Sequence, residues 1–190
     1  MTLPNLLTLL RIIAIPPIVV AIVMPGVSIA GIDLRGWATA LFVLASVTDW
    51  LDGYLARRLQ QGSSLGRMMD PIADKVLVAA VLVSLTATGE LAGWPIIATL
   101  VIIARELLIS GLREALASET VALPVTFLAK IKTTVQFVAL TLLIGAPLVT
   151  PVIGDIGLGA LWLAALLTAV TGAQYFGAGM RHLDASTRER

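Results

Sequence analysis

Long uncharged segments, each bounded by charged residues, make up most of the chain. Segments of 21, 22 and 25 uncharged residues follow Arg11, Lys132 and Asp155. About 20 apolar residues cross a bilayer as a helix, so these three segments have ordinary spanning lengths. The middle of the chain differs, because its uncharged segments are only 13 or 14 residues long. We interpret these shorter segments as spans with charged side chains at one end.

The pattern predicts an all-α, polytopic membrane protein with six transmembrane helices in a single domain, residues 1-190. Turn-forming and helix-breaking residues separate the segments. These residues are Met24-Pro25-Gly26, Gly62-Ser63-Ser64, Gly89, Gly93, Pro124, Ala146-Pro147 and Gly154. The predicted helices cover residues 4–24, 36–60, 70–88, 94–117, 124–146 and 157–180.

Composition narrows the class of protein further. Apolar residues form 58% of the chain, charged residues form 13%, and the mean hydropathy is +0.96. So few charges exclude a small water-soluble or disordered protein. Cysteine is absent and the only histidine is His182, which excludes disulfides and thiolate metal sites and argues against a serine–histidine triad. A bound metal would therefore take oxygen ligands, which favours Mg²⁺ or Mn²⁺.

Basic residues are distributed unevenly between the two sides of the predicted membrane. Six spans place both termini on one side, and of the 13 Lys and Arg residues all but Arg35 lie on or toward that side. Cytoplasmic loops of membrane proteins carry the excess of Lys and Arg. Both termini are therefore predicted to be cytoplasmic.

Four aspartates lie within or at the end of predicted helices, where a charge costs about 2.5–3.5 kcal/mol. Asp49 and Asp52 are three residues apart, and Asp70 and Asp74 are four apart, so each pair shares one helix face. Facing carboxylates repel each other unless a cation is present. Two divalent cations would neutralise them, and such metal pairs are common where a displacement occurs at phosphorus.

Small residues accompany the first acidic pair. Asp49, Asp52, Gly53 and Ala56 fall within an arc of about 100° on one helix, so a large ligand can approach the backbone closely. Arg57 stands at the edge of this arc, where it can pair with a phosphate. The pattern favours a nucleotide diphosphate as the ligand. A proton or cation pathway lined by acids, as in a channel or transporter, is the alternative from another class of protein.

Residues 49–74 read DWLDGYLARRLQQGSSLGRMMDPIAD, which matches D-x2-D-G-x2-A-R-x8-G-x3-D-x3-D at all eight fixed positions. This segment resembles the signature of the CDP-alcohol phosphotransferases. The resemblance implies a six-helix membrane fold, a homodimer in the bacterial cytoplasmic membrane, and a site that opens toward the cytoplasm. It also implies transfer from a CDP-linked donor to an acceptor hydroxyl with release of CMP, and no nucleic-acid partner.

The same resemblance implies roles for individual residues. Asp49, Asp52 and Asp70 would be metal ligands, and Asp74 would be the general base and a further metal ligand. Contacts to the CDP part of the donor would come from Gly53, Ala56, Arg57, Ser63 and Gly66. For Asn5, Thr8 and Arg11, at spacings of three residues in the first helix, two interpretations fit equally: they border the nucleotide pocket, or they cap and anchor the helix at the membrane surface.

Three further segments, residues 3–12, 104–114 and 130–136, resemble family members that use CDP-diacylglycerol as donor and glycerol-3-phosphate as acceptor. Another acceptor, such as inositol phosphate, remains an alternative. An arginine about 11 residues into a span requires an anion or a wet cavity. The predicted contacts to the acceptor phosphate are Arg105, Arg113, Lys130 and Lys132. A structural ion-pair network between Arg105 and Glu106 is the alternative interpretation of this group.

Overall fold

Helices form nearly all of the structure, which is a computed structural model describing residues 3–59, 64–117 and 127–188. Within these ranges side chains are described except at 3–5, 50–59, 64–68, 70, 115–117, 127, 129 and 178–188. The elements are α1 (Leu3–Val23), β1 (Ser28–Ile29), β2 (Ile32–Asp33), α2 (Leu34–Leu59), α3 (Ser64–Ala87), α4 (Pro95–Ala117), α5 (Phe127–Val149) and α6 (Pro151–Arg188). The prediction of a helical protein is confirmed.

A small hairpin between α1 and α2 was not predicted. Strands β1 and β2 pair antiparallel around Ala30 and Gly31, whose φ angles are 54° and 77°. Two successive positive φ angles suit a tight two-residue hairpin turn. Asp33, directly before α2, caps the N-terminus of this helix. Its Oδ1 accepts a hydrogen bond of 2.8 Å from the backbone N–H of Arg35. The sequence lacks the Asn-Gly or Asp-Gly signal of such turns, and alanine rarely adopts this φ.

Several predicted helix ends were wrong. Helix α3 begins at Ser64, six residues before the predicted start, and includes Pro71. The predicted break at Ala146-Pro147 lies inside α5, and Gly154 lies inside α6. Unpaired backbone groups are costly in an apolar medium, so a helix there continues through residues that would end it in water. The connections around Gly26, Gly89 and Gly93 are confirmed, each with a positive φ.

The helices pack around one apolar core and leave other apolar side chains exposed. Helix α1 packs on α2 and α3, α5 lies between α2 and α6, and α4 packs on α6. Phe42 and Leu140 are fully buried in the core, whereas Leu44, Leu100 and Leu166 are about 60% exposed (61%, 60% and 62%). Within the described residues, α1, α4, α5 and α6 are long and apolar enough to cross a membrane. The chain is therefore a multi-pass membrane protein.

Candidate active site

Helices α1, α2 and α3 bring polar side chains together inside the bundle. Arg11 of α1 has a fully buried side chain, and its Nη1 lies 2.6 Å from Oδ1 of Asp49 on α2. Thr8, three residues before Arg11 on the same face of α1, is also buried. The polar face of α1 therefore points into the protein at the level of Asp49.

Asp74 of α3 lies next to this ion pair. Its Oδ1 is buried and has no hydrogen-bond partner among the side chains and backbone that the structure describes. The carboxyl group is within electrostatic range of Asp49 and Glu106, and of the cations Arg11 and Lys132. Because a buried carboxylate oxygen without a partner is costly, this atom is suited to receive a cation or a proton.

Helices α4 and α5 supply three further cations, of which Lys132 interacts electrostatically with Asp74. Glu106 of α4 accepts hydrogen bonds from Lys132 Nζ of α5 and, at 3.3 Å, from Nη1 of the neighbouring Arg105. Arg105 also donates through Nη2 to Thr171 Oγ1 of α6 at 3.2 Å. The Arg113 guanidinium carbon lies 5.1 Å from the centre of the Tyr175 ring on α6. We call Arg105, Arg113 and Lys132 the cationic cluster.

The cationic cluster carries more positive charge than its paired carboxylate can balance. Among the described residues, Glu106 is the one acid in ion-pair contact with these cations. Lys132 is 5% exposed and the Arg105 side chain is 13% exposed, so water screens their charges weakly. An arrangement with three cations and one paired acid favours a bound anion.

The structure separates Lys130 from the other predicted acceptor contacts. Lys130 is exposed and forms no ion pair with any described residue, whereas Lys132 is buried. Two residues along a helix correspond to a rotation of about 200°. The two lysines therefore lie on opposite faces of α5, and only Lys132 faces Glu106.

Much of the predicted donor site lies outside the described residues. The backbone of Asn5 is in α1, that of Asp52, Gly53, Ala56 and Arg57 in α2, and that of Gly66 and Asp70 in α3. Their side chains are not described, and Ser63 is outside the described ranges altogether. Among the side chains that are described, no group of three acids or histidines forms a metal site.

The described acids nevertheless fit a hard divalent cation. Asp49 of α2 and Asp74 of α3 interact electrostatically, and one oxygen of Asp74 is buried without a partner among the described residues. Carboxylate oxygens are the ligands that Mg²⁺ and Mn²⁺ prefer. A cation would remove the repulsion between the two carboxylates and satisfy the buried oxygen.

Sequence reasoning missed three contacts of the site. Arg11 was grouped with Asn5 and Thr8 but was not predicted as the partner of Asp49, although a charged residue within the first predicted helix was a signal that a partner existed. Tyr175 and Thr171 were not predicted to belong to the site. Both belong to α6, whose sequence gives no sign of a polar face directed at α4.

Acidic and cationic side chains that meet inside a helical membrane bundle indicate a functional site. Comparison with known proteins identifies the class of protein: the profile described as "CDP-alcohol phosphatidyltransferase" matches residues 1–170. The chain belongs to this family and is a phosphatidyltransferase.

Curated relatives match along nearly the whole chain. A protein of Rickettsia felis is 44% identical over 179 residues, covering 92% of this chain and 93% of the relative. A protein of Pectobacterium atrosepticum is 40% identical over 186 residues, covering 95% and 96%. A protein of Shigella flexneri serotype 5b is 38% identical over 183 residues, covering 95% and 96%. All three are named CDP-diacylglycerol–glycerol-3-phosphate 3-phosphatidyltransferase.

Proposed function

We propose that this protein transfers the phosphatidyl group from CDP-diacylglycerol to sn-glycerol-3-phosphate, giving phosphatidylglycerophosphate and CMP. The observation that carries the proposal is the buried Oδ1 of Asp74, whose carboxyl group interacts electrostatically with Asp49, Glu106 and Lys132. A carboxyl group in this position can act on an acceptor bound by the cationic cluster while the donor is bound at Asp49. The names of the relatives support both substrates.

In the proposed reaction, Asp74 takes the proton from the acceptor hydroxyl. The hydroxyl oxygen forms a bond to the β-phosphorus of the donor, the bond between that phosphorus and the bridging oxygen breaks, and CMP leaves with the bridging oxygen. Arg105, Arg113 and Lys132 hold the acceptor phosphate and so orient the hydroxyl toward Asp74. Gly53, Ala56, Arg57, Ser63 and Gly66, with Asn5 and Thr8, remain our predicted contacts to the donor.

Two divalent cations, Mg²⁺ or Mn²⁺, complete the proposal. Asp49, Asp52, Asp70 and Asp74 would hold them, because carboxylates from adjacent helix faces supply the oxygen ligands. When bound, such ions stabilise negative charge on the diphosphate and on the leaving group. Arg11 remains beside Asp49 and orients this carboxylate.

A groove between α2 and α5 supports a lipid-borne donor. Two adjoining hollows of about 590 and 430 Å³ share Val43 and Val47, and the second one reaches Asp49. The hollow farther from Asp49 begins at Gly36 and is lined almost entirely by apolar atoms. From Gly36 to Asp49 the helix rises about 20 Å, which accommodates much of an acyl chain. We propose that an acyl chain of CDP-diacylglycerol occupies this groove while its diphosphate lies at Asp49.

The topology of the proposal has six spans, both termini in the cytoplasm, and one domain over residues 1-190. Each of the six helices has at least 21 residues, which is enough to cross a bilayer. Residues Asp49, Asp74 and Glu106 would then lie toward the cytoplasmic face of the bacterial inner membrane. We further propose that the protein is a homodimer, as the family resemblance implies.

The test is release of CMP from CDP-diacylglycerol by the purified protein in nanodiscs. We expect release only when Mg²⁺ or Mn²⁺ and sn-glycerol-3-phosphate are both present. A panel with inositol phosphate, glycerol and inositol identifies the acceptor, and release with another member of the panel in place of glycerol-3-phosphate would overturn the acceptor assignment. Cation flux across proteoliposomes without any CMP release would instead favour the channel or transporter interpretation.

A further inference from the structure

One aromatic ring on α6 lies against both arginines of the cationic cluster. The Tyr175 side chain is buried, at 4% exposure. Its ring centre is 5.8 Å from the Arg105 guanidinium carbon and 5.1 Å from that of Arg113. The two arginines are eight residues apart on α4, about 12 Å along the helix axis. Their guanidinium groups therefore converge on a ring that a different helix supplies.

Two neighbours of Tyr175 on α6 fix the path of the Arg105 side chain. Thr171 accepts a hydrogen bond of 3.2 Å from Arg105 Nη2. At Gly172, an added Cβ would lie only 2.9 Å from Arg105 Cγ, so a side chain there would displace the arginine near its base. Thr171, Gly172 and Tyr175 share one face of α6. This face determines where the Arg105 guanidinium can lie.

An aromatic ring can hold cations without cancelling their charge. A carboxylate partner such as Glu106 neutralises a guanidinium, whereas the face of a tyrosine ring attracts it and leaves its full positive charge available. Arg113, which forms no ion pair with any described residue, thus keeps its charge for a phosphate dianion, while Arg105 shares the single charge of Glu106 with Lys132. The ring also restricts the rotamers of both arginines before the acceptor binds. Less conformational entropy is then lost on binding, which favours affinity.

We propose that Tyr175, together with Gly172, is a positioning element that holds Arg105 and Arg113 in place for the phosphate of the acceptor. The proposal rests on the proposed function, because it takes the cationic cluster as the acceptor-phosphate site. Tyr175 acts through the two arginines and has no direct role in proton or phosphoryl transfer. Its effect therefore falls on acceptor affinity and leaves donor affinity unchanged.

The first experiment compares Tyr175→Leu with Tyr175→Phe by steady-state CMP release. We expect Tyr175→Leu to raise the KM for glycerol-3-phosphate about tenfold, because it removes the cation–π contacts to both arginines. Tyr175→Phe keeps the ring and should recover most of that affinity. The KM for CDP-diacylglycerol should stay within about twofold in both variants. An equal rise in both KM values, or no recovery by phenylalanine, would overturn the proposal.

A second pair of variants tests the same idea without changing any polar group. Gly172→Ala places a Cβ against Arg105, while a Cβ at Gly177 on the same helix meets no atom within 4 Å. We expect Gly172→Ala to raise the KM for glycerol-3-phosphate and Gly177→Ala to leave it as in the wild type. Equal KM values in the two variants would contradict the role of Gly172.

Calorimetric titration with glycerol-3-phosphate in the absence of donor separates this proposal from the proposed function. Binding weakened by Tyr175→Leu supports the positioning role even if the wild type releases no CMP, a result that would refute the proposed function alone. Wild-type turnover with unchanged glycerol-3-phosphate binding in Tyr175→Leu refutes the positioning role alone.

Discussion

Arg11 of α1 and Asp49 of α2 form an ion pair, with Nη1 and Oδ1 2.6 Å apart, and it joins the first helix to the acidic site. The arginine side chain is fully buried while that of Asp49 is 33% exposed. A buried guanidinium requires an anion, and Asp49 provides it. Arg11 in turn supplies a positive charge that offsets the repulsion between Asp49 and Asp74.

We predict that Arg11→Gln lowers stability more in EDTA than in Mg²⁺. Without the guanidinium, Asp49 loses the positive charge that offsets its repulsion with Asp74, at a cost of about 1–3 kcal/mol. A divalent cation at these carboxylates would replace the lost charge, so the difference should shrink when metal is added. Thermal unfolding in detergent, with and without Mg²⁺, measures both effects. Arg11→Lys, which keeps the charge, is the control, and an equal loss in both buffers would contradict a metal at Asp49.

A second ion pair stabilises the end of the bundle near β2. Arg35 Nη2 lies 2.5 Å from Glu90 Oε1, and Thr88 Oγ1 donates to Glu90 Oε2 at 2.6 Å. We predict that Glu90→Gln destabilises the protein by about 1–3 kcal/mol, because the buried guanidinium loses its charged partner. CMP release per folded molecule should be unchanged, since this pair lies far from Asp74. A double-mutant cycle with Arg35→Met isolates the coupling, and additive effects would show that the pair contributes nothing.

Close packing of α5 and α6 depends on Gly157. A Cβ at this position would lie 3.0 Å from Leu143 Cγ and 3.2 Å from Leu142 Cβ, whereas a Cβ at Gly159 meets nothing within 4 Å. We predict that Gly157→Val lowers stability by about 1–3 kcal/mol through overpacking. Gly159→Val is the matched control, because it adds the same side chain without the clash. Thermal unfolding of the two variants should separate them, and equal melting temperatures would contradict close packing at Gly157.

The spacing of charged residues predicted much of this fold, whereas helix-breaking residues predicted the ends of the helices poorly. The uncharged segments located all six helices because an apolar solvent imposes helix length directly. Pro147 and Gly154 misled the prediction of their boundary, since the chain turns at Thr150 instead, between Val149 and Pro151. Proline is favourable in the first turn of a helix, and Pro151 begins α6. Which of several nearby breakers makes the turn depends on packing between α5 and α6.

The candidate site was predictable where residues share a helix and hidden where they meet across helices. Spacing alone indicated that Asp70 and Asp74 occupy one face of a helix. It did not indicate that Asp49 pairs with Arg11, or that Lys132 faces Glu106 while Lys130 faces away. Those relationships depend on how the helices are rotated about their axes, and a single sequence contains little information on rotation.

The cationic cluster predicts a specific kinetic defect. Arg105→Gln or Arg113→Gln should raise the KM for glycerol-3-phosphate by about 10- to 100-fold, because each removes a charge-assisted contact to the phosphate. The KM for CDP-diacylglycerol should change much less, and KM values for both substrates measured by CMP release test this. Lys130→Gln is the comparison, since the structure places this lysine outside the cluster. Equal increases for donor and acceptor would favour a structural ion-pair network instead.

Asp74 provides the most direct test of the chemistry. Its Oδ1 is buried without a hydrogen-bond partner among the described residues, and its carboxyl group interacts with Asp49 and with Lys132 of the cationic cluster. We predict that Asp74→Asn lowers kcat by about 10²–10⁴-fold, because an amide cannot take the proton of the acceptor hydroxyl. Donor binding should largely persist, since three aspartates remain for the metal ions. Single-turnover CMP release measures the rate, and equilibrium binding of CDP-diacylglycerol measures donor affinity.

Asp155→Asn is the control variant, because it removes an exposed carboxylate near the start of α6 and should behave as the wild type. A rate for Asp74→Asn close to that of Asp155→Asn would exclude Asp74 as the base and require another group to accept the proton.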